Sequence, residues 1–240
     1  MEELAQHARD LFNIQLTAKQ QDDLKVYEIE LLRWNESVNL TAIKSPEQVR
    51  TKHYLDSLSC MCVMRDSELN RVIDIGTGAG FPGLPLKIIN PSMALTLVES
   101  VGKKADFCRH IVKLLALEEV TIMQTRAERV GQSPEHRGQY DWAISRAVAK
   151  LPILAEYMLP MVQIGGTMLA MKGESAHAEA QSAEYAINVL GGHLRQVVPV
   201  ILPGVAEERY LVVIDKVAAT PMKYPRRVGI PGKRPLKSAG

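Results

Sequence analysis

The segment DIGTGAGFPGLP, residues Asp74–Pro85, decides the fold of this 240-residue chain. It follows the apolar run RVIDI and precedes a helical segment, so it predicts the turn between the first strand and first helix of an open α/β sheet. Gly76, Gly78 and Gly80 form G-x-G-x-G, whereas Gly78, Gly80 and Gly83 form the G-x-G-x-x-G of dinucleotide sites. A tight turn without a ligand is the third interpretation.

Short apolar runs recur after this segment, with helical segments between most of them. They are RVIDI, ALTLVE, VTIMQT, YDWAIS and TMLAMK, followed by two further strands near 196–202 and 209–216. Their lack of clean polar alternation predicts parallel strands covered on both faces. We therefore predict an α/β fold with a doubly wound, mostly parallel, Rossmann-like sheet in residues 63–219. Residues 1–62 have helical periodicity and form a predicted N-terminal helical cap.

The composition is that of an ordinary globular protein. Apolar residues make up 46% and charged residues 23% of the chain. No apolar run approaches the roughly 18 residues of a membrane span, and the N-terminal segment lacks the features of a signal peptide. Three unevenly spaced cysteines suit a reducing compartment. We predict a cytoplasmic protein without a membrane segment.

The charge is unevenly distributed along the chain. Residues 220–240 contain six basic and no acidic residues, whereas the preceding 219 residues have a net charge of −4. This asymmetry indicates a polyanionic partner. Four prolines and the lack of periodicity predict an extended tail that becomes ordered only on contact.

Three details favour S-adenosylmethionine over NAD as the ligand of the glycine segment. A pocket-facing carboxylate at Asp74 would tolerate a cation and repel a pyrophosphate. Pro82 and Pro85 have no backbone N–H, so they weaken the anion site of the following helix. The chain also has no second catalytic domain for a hydride acceptor. The predicted binding glycines are Gly76, Gly78 and Gly80.

Polar residues follow the next strands at the same predicted edge of the sheet. Glu99 ends the second strand, where an acidic residue can bind ribose hydroxyls, with a solvated carboxylate as the alternative. Ala127 and Glu128 follow the third strand, where an adenine edge would lie. Arg146 ends the fourth strand and is predicted at the mouth of the site, with a salt bridge to Asp141 as the alternative.

The fourth strand also limits the methyl acceptor. It ends in SRAV and lacks the D/N-P-P-aromatic motif of enzymes that methylate exocyclic amines. C5 methylation of pyrimidines needs a cysteine nucleophile, and Cys60, Cys62 and Cys108 are not at strand ends. No His/Cys cluster has metal-ligand spacing. Guanine N7 fits such a site, because it has a lone pair and no proton to remove.

Six motifs in order resemble the RsmG family, also called glucose-inhibited division protein B. They are RWNESVNLT, KHYLDSL, VIDIGTGAGFPGLPLKI, VESVGKKADF, TRAE and SRAVAKL, and the tail KYPRRVGIPGKRPL also resembles that of many members. The resemblance implies a class I methyltransferase that uses S-adenosylmethionine to methylate guanine N7 of 16S rRNA near the decoding site. It implies 16S rRNA or the small subunit as the partner, and we separately predict a monomer without a metal.

The resemblance also implies roles for particular residues. Arg146 would be the catalytic residue at the methyl-transfer end, and the basic pair Lys103 and Lys104 would bind rRNA phosphate unless it is only a solvated helical turn. Asn39 and His53 match family positions without a role that we can assign. The implied cofactor-binding residues are Gly76, Gly78, Gly80, Phe81, Glu99, Ser100, Ala127, Glu128 and Arg146. The implied RNA-binding residues of the tail are Arg226, Arg227, Lys233 and Arg234.

Two alternatives to this function stay open at this point. One is a methyltransferase of the same fold that acts on a small molecule or a protein. The other is a non-catalytic RNA-binding module that retains the cofactor fold.

Overall fold

The computed structural model describes residues 1–67 and 69–237. Within these residues, seven strands form one sheet in the order β3-β2-β1-β4-β5-β7-β6. The first five strands pair in parallel, and the last two add antiparallel strands at one edge. The predicted mostly parallel sheet is therefore confirmed. The strands are β1 (Arg71–Ile75), β2 (Ala94–Val98), β3 (Val120–Met123), β4 (Tyr140–Arg146), β5 (Val162–Lys172), β6 (Gly192–Val200) and β7 (Arg209–Lys216).

Helices cover both faces of the sheet, as the apolar strands require. Neighbouring strand residues point to opposite faces, so Val72 belongs to one buried cluster and Ile73 to the other. The first cluster includes residues of α6 (Gly83–Ile89) and α7 (Gly102–Leu114). The second includes residues of α8 (Ala127–Gln132), α9 (Leu151–Met158) and α10 (Ala176–Val189). Among the described residues, no helix has the length and apolar character needed to cross a bilayer.

The N-terminal helices share the core of the first face. Leu24 and Leu31 lie in the same buried cluster as Leu84 of α6, so the cap and the sheet pack as one unit. Thr17 and Gln20 form the capping box expected from the sequence. The cap consists of α1 (Glu2–Phe12), α2 (Ala18–Val38), α3 (Pro46–Val49), a π-helical turn (Arg50–Leu55), α4 (Asp56–Leu58) and α5 (Met61–Met64).

The described part of the tail, residues 220–237, is packed on the protein, which corrects the predicted tail that orders only on contact. Tyr224 is buried in the cluster on the α8–α10 face. The Arg137 guanidinium donates hydrogen bonds to the carbonyl oxygens of Thr220, Pro221 and Tyr224. The segment contains a short helix, α11 (Ile230–Lys233). Residues 238–240 of the predicted tail lie outside the described residues.

Candidate active site

The glycine segment forms a loop at the carboxyl end of β1, and its three glycines have a left-handed backbone conformation. Gly76, Gly78 and Gly80 have φ of 68°, 61° and 98°, a conformation that glycine adopts without the steric cost of a side chain. A Cβ at Gly76 would overlap Cγ2 of Val148, whereas a Cβ at Gly78 would meet nothing within 4 Å. The loop therefore presents open space at Gly78. The three glycines with a left-handed backbone are those of the G-x-G-x-G pattern.

The start of α6 offers a poor site for a pyrophosphate. The Gly83 N–H donates to Asp74 Oδ2 at 2.9 Å, and the Leu84 N–H donates to the Gly80 carbonyl at 2.8 Å. Pro82 and Pro85 have no N–H to donate. Because anion binding at a helix N-terminus uses free N–H groups, this geometry supports the argument against a dinucleotide.

The Asp74 carboxylate is buried and hydrogen-bonded to the glycine loop. The prediction that it faces the pocket is therefore wrong. The residue is fully buried, and its Oδ2 accepts hydrogen bonds from the Thr77 hydroxyl at 2.6 Å and from the Gly83 N–H at 2.9 Å. Its Oδ1 has no partner among the described residues. Burial raises the pKa of Asp74 to about 6, although the hydrogen bonds from Thr77 and Gly83 oppose this increase.

We expect Asp74→Asn to change how stability depends on pH. Between pH 4 and 6, folded Asp74 holds a proton that the unfolded carboxyl releases, so the wild-type free energy of unfolding decreases as the pH rises through this window. Above pH 6 the carboxylate is ionised in both states, and the free-energy cost of burying its charge in the folded protein remains. The neutral amide of the variant avoids the penalty, so its advantage over wild type should be on the order of 2 kcal/mol greater at pH 7.5 than at pH 4.

Urea unfolding at both pH values measures this difference. The exposed Asp22→Asn is the control and should track wild type at both. A stability difference between Asp74→Asn and wild type that does not change with pH would contradict the assignment.

Glu99 is a buried carboxylate attached to the glycine loop, so it is not the solvated alternative. Its Oε2 accepts a hydrogen bond from the Gly78 N–H at 3.0 Å, and its Oε1 accepts one from the Val101 N–H at 2.7 Å. A carboxylate has about four acceptor positions, so lone pairs remain for further donors. The adjacent Ser100 is exposed. Glu99 therefore lies beside the open glycine with acceptor capacity to spare.

Arg146 joins the end of β4 to the cap. Its Nη1 donates to Asp56 Oδ2 at 2.8 Å, and its Nη2 donates to His53 Nδ1 at 3.0 Å. Its guanidinium carbon lies 5.1 Å from the centre of the Phe81 ring. The ion pair with Asp56 replaces the expected alternative partner Asp141, which instead accepts the Arg71 N–H.

Phe81 connects the glycine loop to the cap. Its ring stacks on Tyr27, with centroids 5.4 Å apart, and on His53, with centroids 4.4 Å apart. The Tyr27 hydroxyl also donates to the Ala79 carbonyl. The Phe81 side chain is buried and holds the loop, so a contact with a ligand here would involve the loop backbone. The predicted cofactor contact at Phe81 stays a prediction.

His53 is held as a neutral imidazole. Its Nδ1 accepts from Arg146, so its Nε2 carries the proton and faces the Thr41 hydroxyl oxygen at 2.8 Å. Burial, and then the charge of Arg146, lowers the pKa of His53 to about 3. Asn39, two residues before Thr41, is the C-cap of α2 and has a left-handed backbone with φ of 52°. The structure thus gives both residues a structural role.

Sequence reasoning missed Asp56, although a signal was present. His53 and Asp56 are three residues apart in KHYLDSL, a spacing that puts two side chains on one helix face. The π-helical turn places both beside Arg146, and such turns occur frequently at functional sites.

The predicted adenine residues and the predicted RNA-binding lysine pair lie on different helices. Ala127 begins α8, and the buried Glu128 uses its Oε1 to accept the Gly229 N–H of the tail at 2.8 Å. The first turn of α7 contains Lys103, which is exposed, and Lys104, which is half-buried.

The tail residues predicted to bind RNA differ in their contacts. Arg226 makes hydrogen bonds of 2.8 and 2.6 Å to the two oxygens of Glu156, whose side chain is fully buried. This ion pair gives Arg226 a structural role, and its contact with RNA phosphate stays a prediction. Arg227, Lys233 and Arg234 are exposed.

Comparison with known proteins gives consistent matches over nearly the whole chain. A sequence model of the family described as GidB, rRNA small subunit methyltransferase G, matches residues 20–207. A protein from Roseiflexus castenholzii named ribosomal RNA small subunit methyltransferase G is 51% identical, over 98% of this chain and 100% of that protein. A protein of the same name from Pelotomaculum thermopropionicum is 46% identical, over 98% of each chain.

A solved structure supports the fold alone. TrmN from Thermus thermophilus superposes with a TM-score of 0.52 at 16% sequence identity, over 67% of this chain and 48% of that one. The likeness supports the Rossmann-like arrangement of the sheet.

Proposed function

The chain belongs to the rRNA small subunit methyltransferase G family, and we propose that it methylates N7 of a guanine in 16S rRNA near the decoding site. S-adenosylmethionine supplies the electrophilic methyl group. The protein acts as a monomer in the cytoplasm, with 16S rRNA or the small subunit as its partner. Arg146 lies at the methyl-transfer end of the site.

The residues of the glycine loop fit S-adenosylmethionine. The space at Gly78 accommodates a ligand, and the occupied N–H groups of α6 disfavour an anionic one. The buried carboxylate of Glu99, bound to the Gly78 N–H, provides a negative environment suited to a ligand with a sulfonium and an ammonium group. Glu99 retains acceptor positions for ribose hydroxyls. Ser100, Ala127 and Glu128 complete the proposed cofactor site.

The observation that supports N7 is that, in the described chain, the imidazole beside Arg146 and the buried thiols near the site are poor bases and nucleophiles. Asp56 uses one carboxylate oxygen to pair with Arg146, and both nitrogens of His53 have partners. The low pKa of His53 also makes its imidazole a weak base. Burial raises the pKa of the Cys60 and Cys108 thiols, so neither forms a thiolate readily. Guanine N7 has a lone pair and needs no deprotonation.

Transfer of a labelled methyl group tests the proposal. The full chain is incubated with small-subunit rRNA or isolated small subunits, and the modified nucleotide is mapped. Label on N7 of one guanine is the expected result. Label on an exocyclic amine, or transfer only to a small molecule or protein, would contradict it. Binding of rRNA without transfer to any substrate would support the non-catalytic alternative.

We expect the Lys103→Ala/Lys104→Ala variant to bind rRNA fragments more weakly and with less dependence on salt. Lysines in a first helical turn oppose the helix dipole, so their position favours a role outside the helix itself. If each contacts one phosphate, the slope of log K against log salt should decrease in magnitude by about two.

A filter-binding titration at several salt concentrations measures the slope. The control is Lys113→Ala, an exposed lysine in the last turn of the same helix. An unchanged slope in the double variant would show that the pair is only a solvated helical turn.

A further inference from the structure

A cavity beside Arg146 adjoins the glycine loop. Its volume is about 520 Å³, within the roughly 300–1,000 Å³ of typical ligand pockets. Arg146 lines the cavity and also contacts Phe81 of the loop. Asp56 from the cap, which is paired with Arg146, and Arg209 from β7 also line the cavity. Under the proposed function, this cavity borders the place where the methyl group is transferred.

The shape of the lining suits a planar base. Apolar side chains of Ile43, Met171 and Leu211 provide surface for the faces of a ring. Polar groups from the cap and from β7 provide partners for its edges. Nucleic-acid-modifying enzymes commonly bind a flipped base in this way, with apolar contacts to its faces and hydrogen bonds to its Watson–Crick edge.

Three carboxylates line the cavity, and they differ in free acceptor capacity. Both oxygens of Glu179 accept hydrogen bonds from the protein. Glu207 is paired with Lys52, and its side chain is 55% exposed. Asp56 is buried and uses Oδ2 for Arg146, but its Oδ1 lies 3.8 Å from Arg209 Nε, beyond hydrogen-bond range. Within the described chain, Asp56 Oδ1 thus accepts no hydrogen bond, and Arg209 lies at ion-pair distance from it.

We propose that Asp56 selects guanine by accepting hydrogen bonds from its N1–H and N2–H groups. These donors lie on the Watson–Crick edge, so a base held this way directs N7, on the other edge, away from Asp56. Arg146 orients the carboxylate through its hydrogen bond to Oδ2. Adenine has an acceptor at N1 and no amino group at C2, so the carboxylate disfavours it. This inference rests on the proposed function, because it names the residue that recognises the methylated base.

Replacing the target guanine by inosine tests the contact on the wild-type protein. Inosine retains N7, O6 and N1–H but lacks the N2 amino group. We expect kcat/KM to decrease roughly 10- to 100-fold, the value of a hydrogen bond to a charged group. Methylation of both RNAs by dimethyl sulfate gives their intrinsic N7 reactivity, and the enzymatic ratio is divided by that chemical ratio.

Asp56→Asn should remove this discrimination. The amide carbonyl of the variant must face Arg146, because Arg146 only donates, so the amide NH₂ group replaces Oδ1 at the cavity. A donor cannot accept from N1–H or N2–H, and the corrected guanine-to-inosine ratio should decrease below about threefold. Circular dichroism and thermal unfolding check that the variant is folded. If it is not, the guanine and inosine measurements on the wild-type protein still test the proposed contact.

Two results would overturn the inference. One is a wild-type enzyme that methylates guanine and inosine within about threefold after correction, which leaves the proposed function intact. The other is loss of discrimination in Glu207→Gln with full discrimination in Asp56→Asn, which would assign the contact to Glu207. Failure of the wild-type enzyme to methylate small-subunit rRNA at all would overturn the proposed function, and this inference with it.

Discussion

Gly76→Asp should abolish binding of S-adenosylmethionine and methyl transfer together, by at least about 100-fold, while the protein stays folded. The backbone at Gly76 is left-handed, which costs a residue with a Cβ about 1–2 kcal/mol. The new Cβ would overlap the Val148 side chain. Val148 is 38% exposed and can move, so the damage should be confined to the loop that contacts the cofactor.

Gly138→Asp is the matched control for backbone strain. Gly138 has φ of 64°, and a Cβ there would meet nothing within 4 Å. It should lose a similar 1–2 kcal/mol of stability, to order of magnitude, and bind the cofactor normally. Isothermal titration calorimetry gives the affinity and urea unfolding gives the stability. Cofactor affinity of Gly76→Asp within about threefold of wild type would refute the assignment of the loop.

The sheet and its loop could be predicted because their signals are local. Each strand is a short apolar run, and the left-handed turn requires Gly76, Gly78 and Gly80 within five residues. The prolines that weaken the helix N-terminus lie in the same stretch. The role of Asp74 was predicted incorrectly, because the sequence does not show that a strand-end carboxylate folds under its own loop to meet Gly83.

The contacts that orient Arg146 could not be predicted, because they join distant segments. Phe81 stacks on Tyr27 and His53, residues that lie 54 and 28 positions earlier in the sequence. No local pattern indicates that these rings meet. The neutral state of His53 follows from burial and from Arg146, both consequences of tertiary packing. The family resemblance showed that His53 matches a family position, but it did not indicate what the residue does.

The tail shows how composition can mislead. Its prolines and basic residues are typical of a segment that stays extended in solution. A few specific contacts outweigh that composition, namely the buried Tyr224, the carbonyls held by Arg137 and the pair between Arg226 and Glu156. Deletion of residues 220–240 would therefore remove part of the packed structure. Single substitutions are the sharper test of RNA binding.

The adjacent arginines 226 and 227 should have opposite effects when each is replaced by alanine. Arg226→Ala leaves the fully buried Glu156 carboxylate without its cation, which should cost about 3–5 kcal/mol of unfolding free energy. Arg227 is exposed, so Arg227→Ala should change stability by no more than about 0.5 kcal/mol. If Arg227 contacts a phosphate, its loss should instead weaken rRNA binding and reduce the salt slope by about one.

The double variant Glu156→Gln/Arg226→Ala separates the ion pair from other effects of losing Arg226. It removes the buried charge, so it should recover much of the stability lost in Arg226→Ala, because the penalty comes from an unpaired carboxylate. Urea unfolding measures all three variants, and rRNA binding is compared under conditions where each is folded. The structural assignment would be wrong if Arg226→Ala had wild-type stability and lost as much RNA affinity as Arg227→Ala. Arg226 would then be an RNA-binding residue. We expect the reverse for stability, since removal of a guanidinium that bonds both oxygens of a buried carboxylate leaves that carboxylate unpaired.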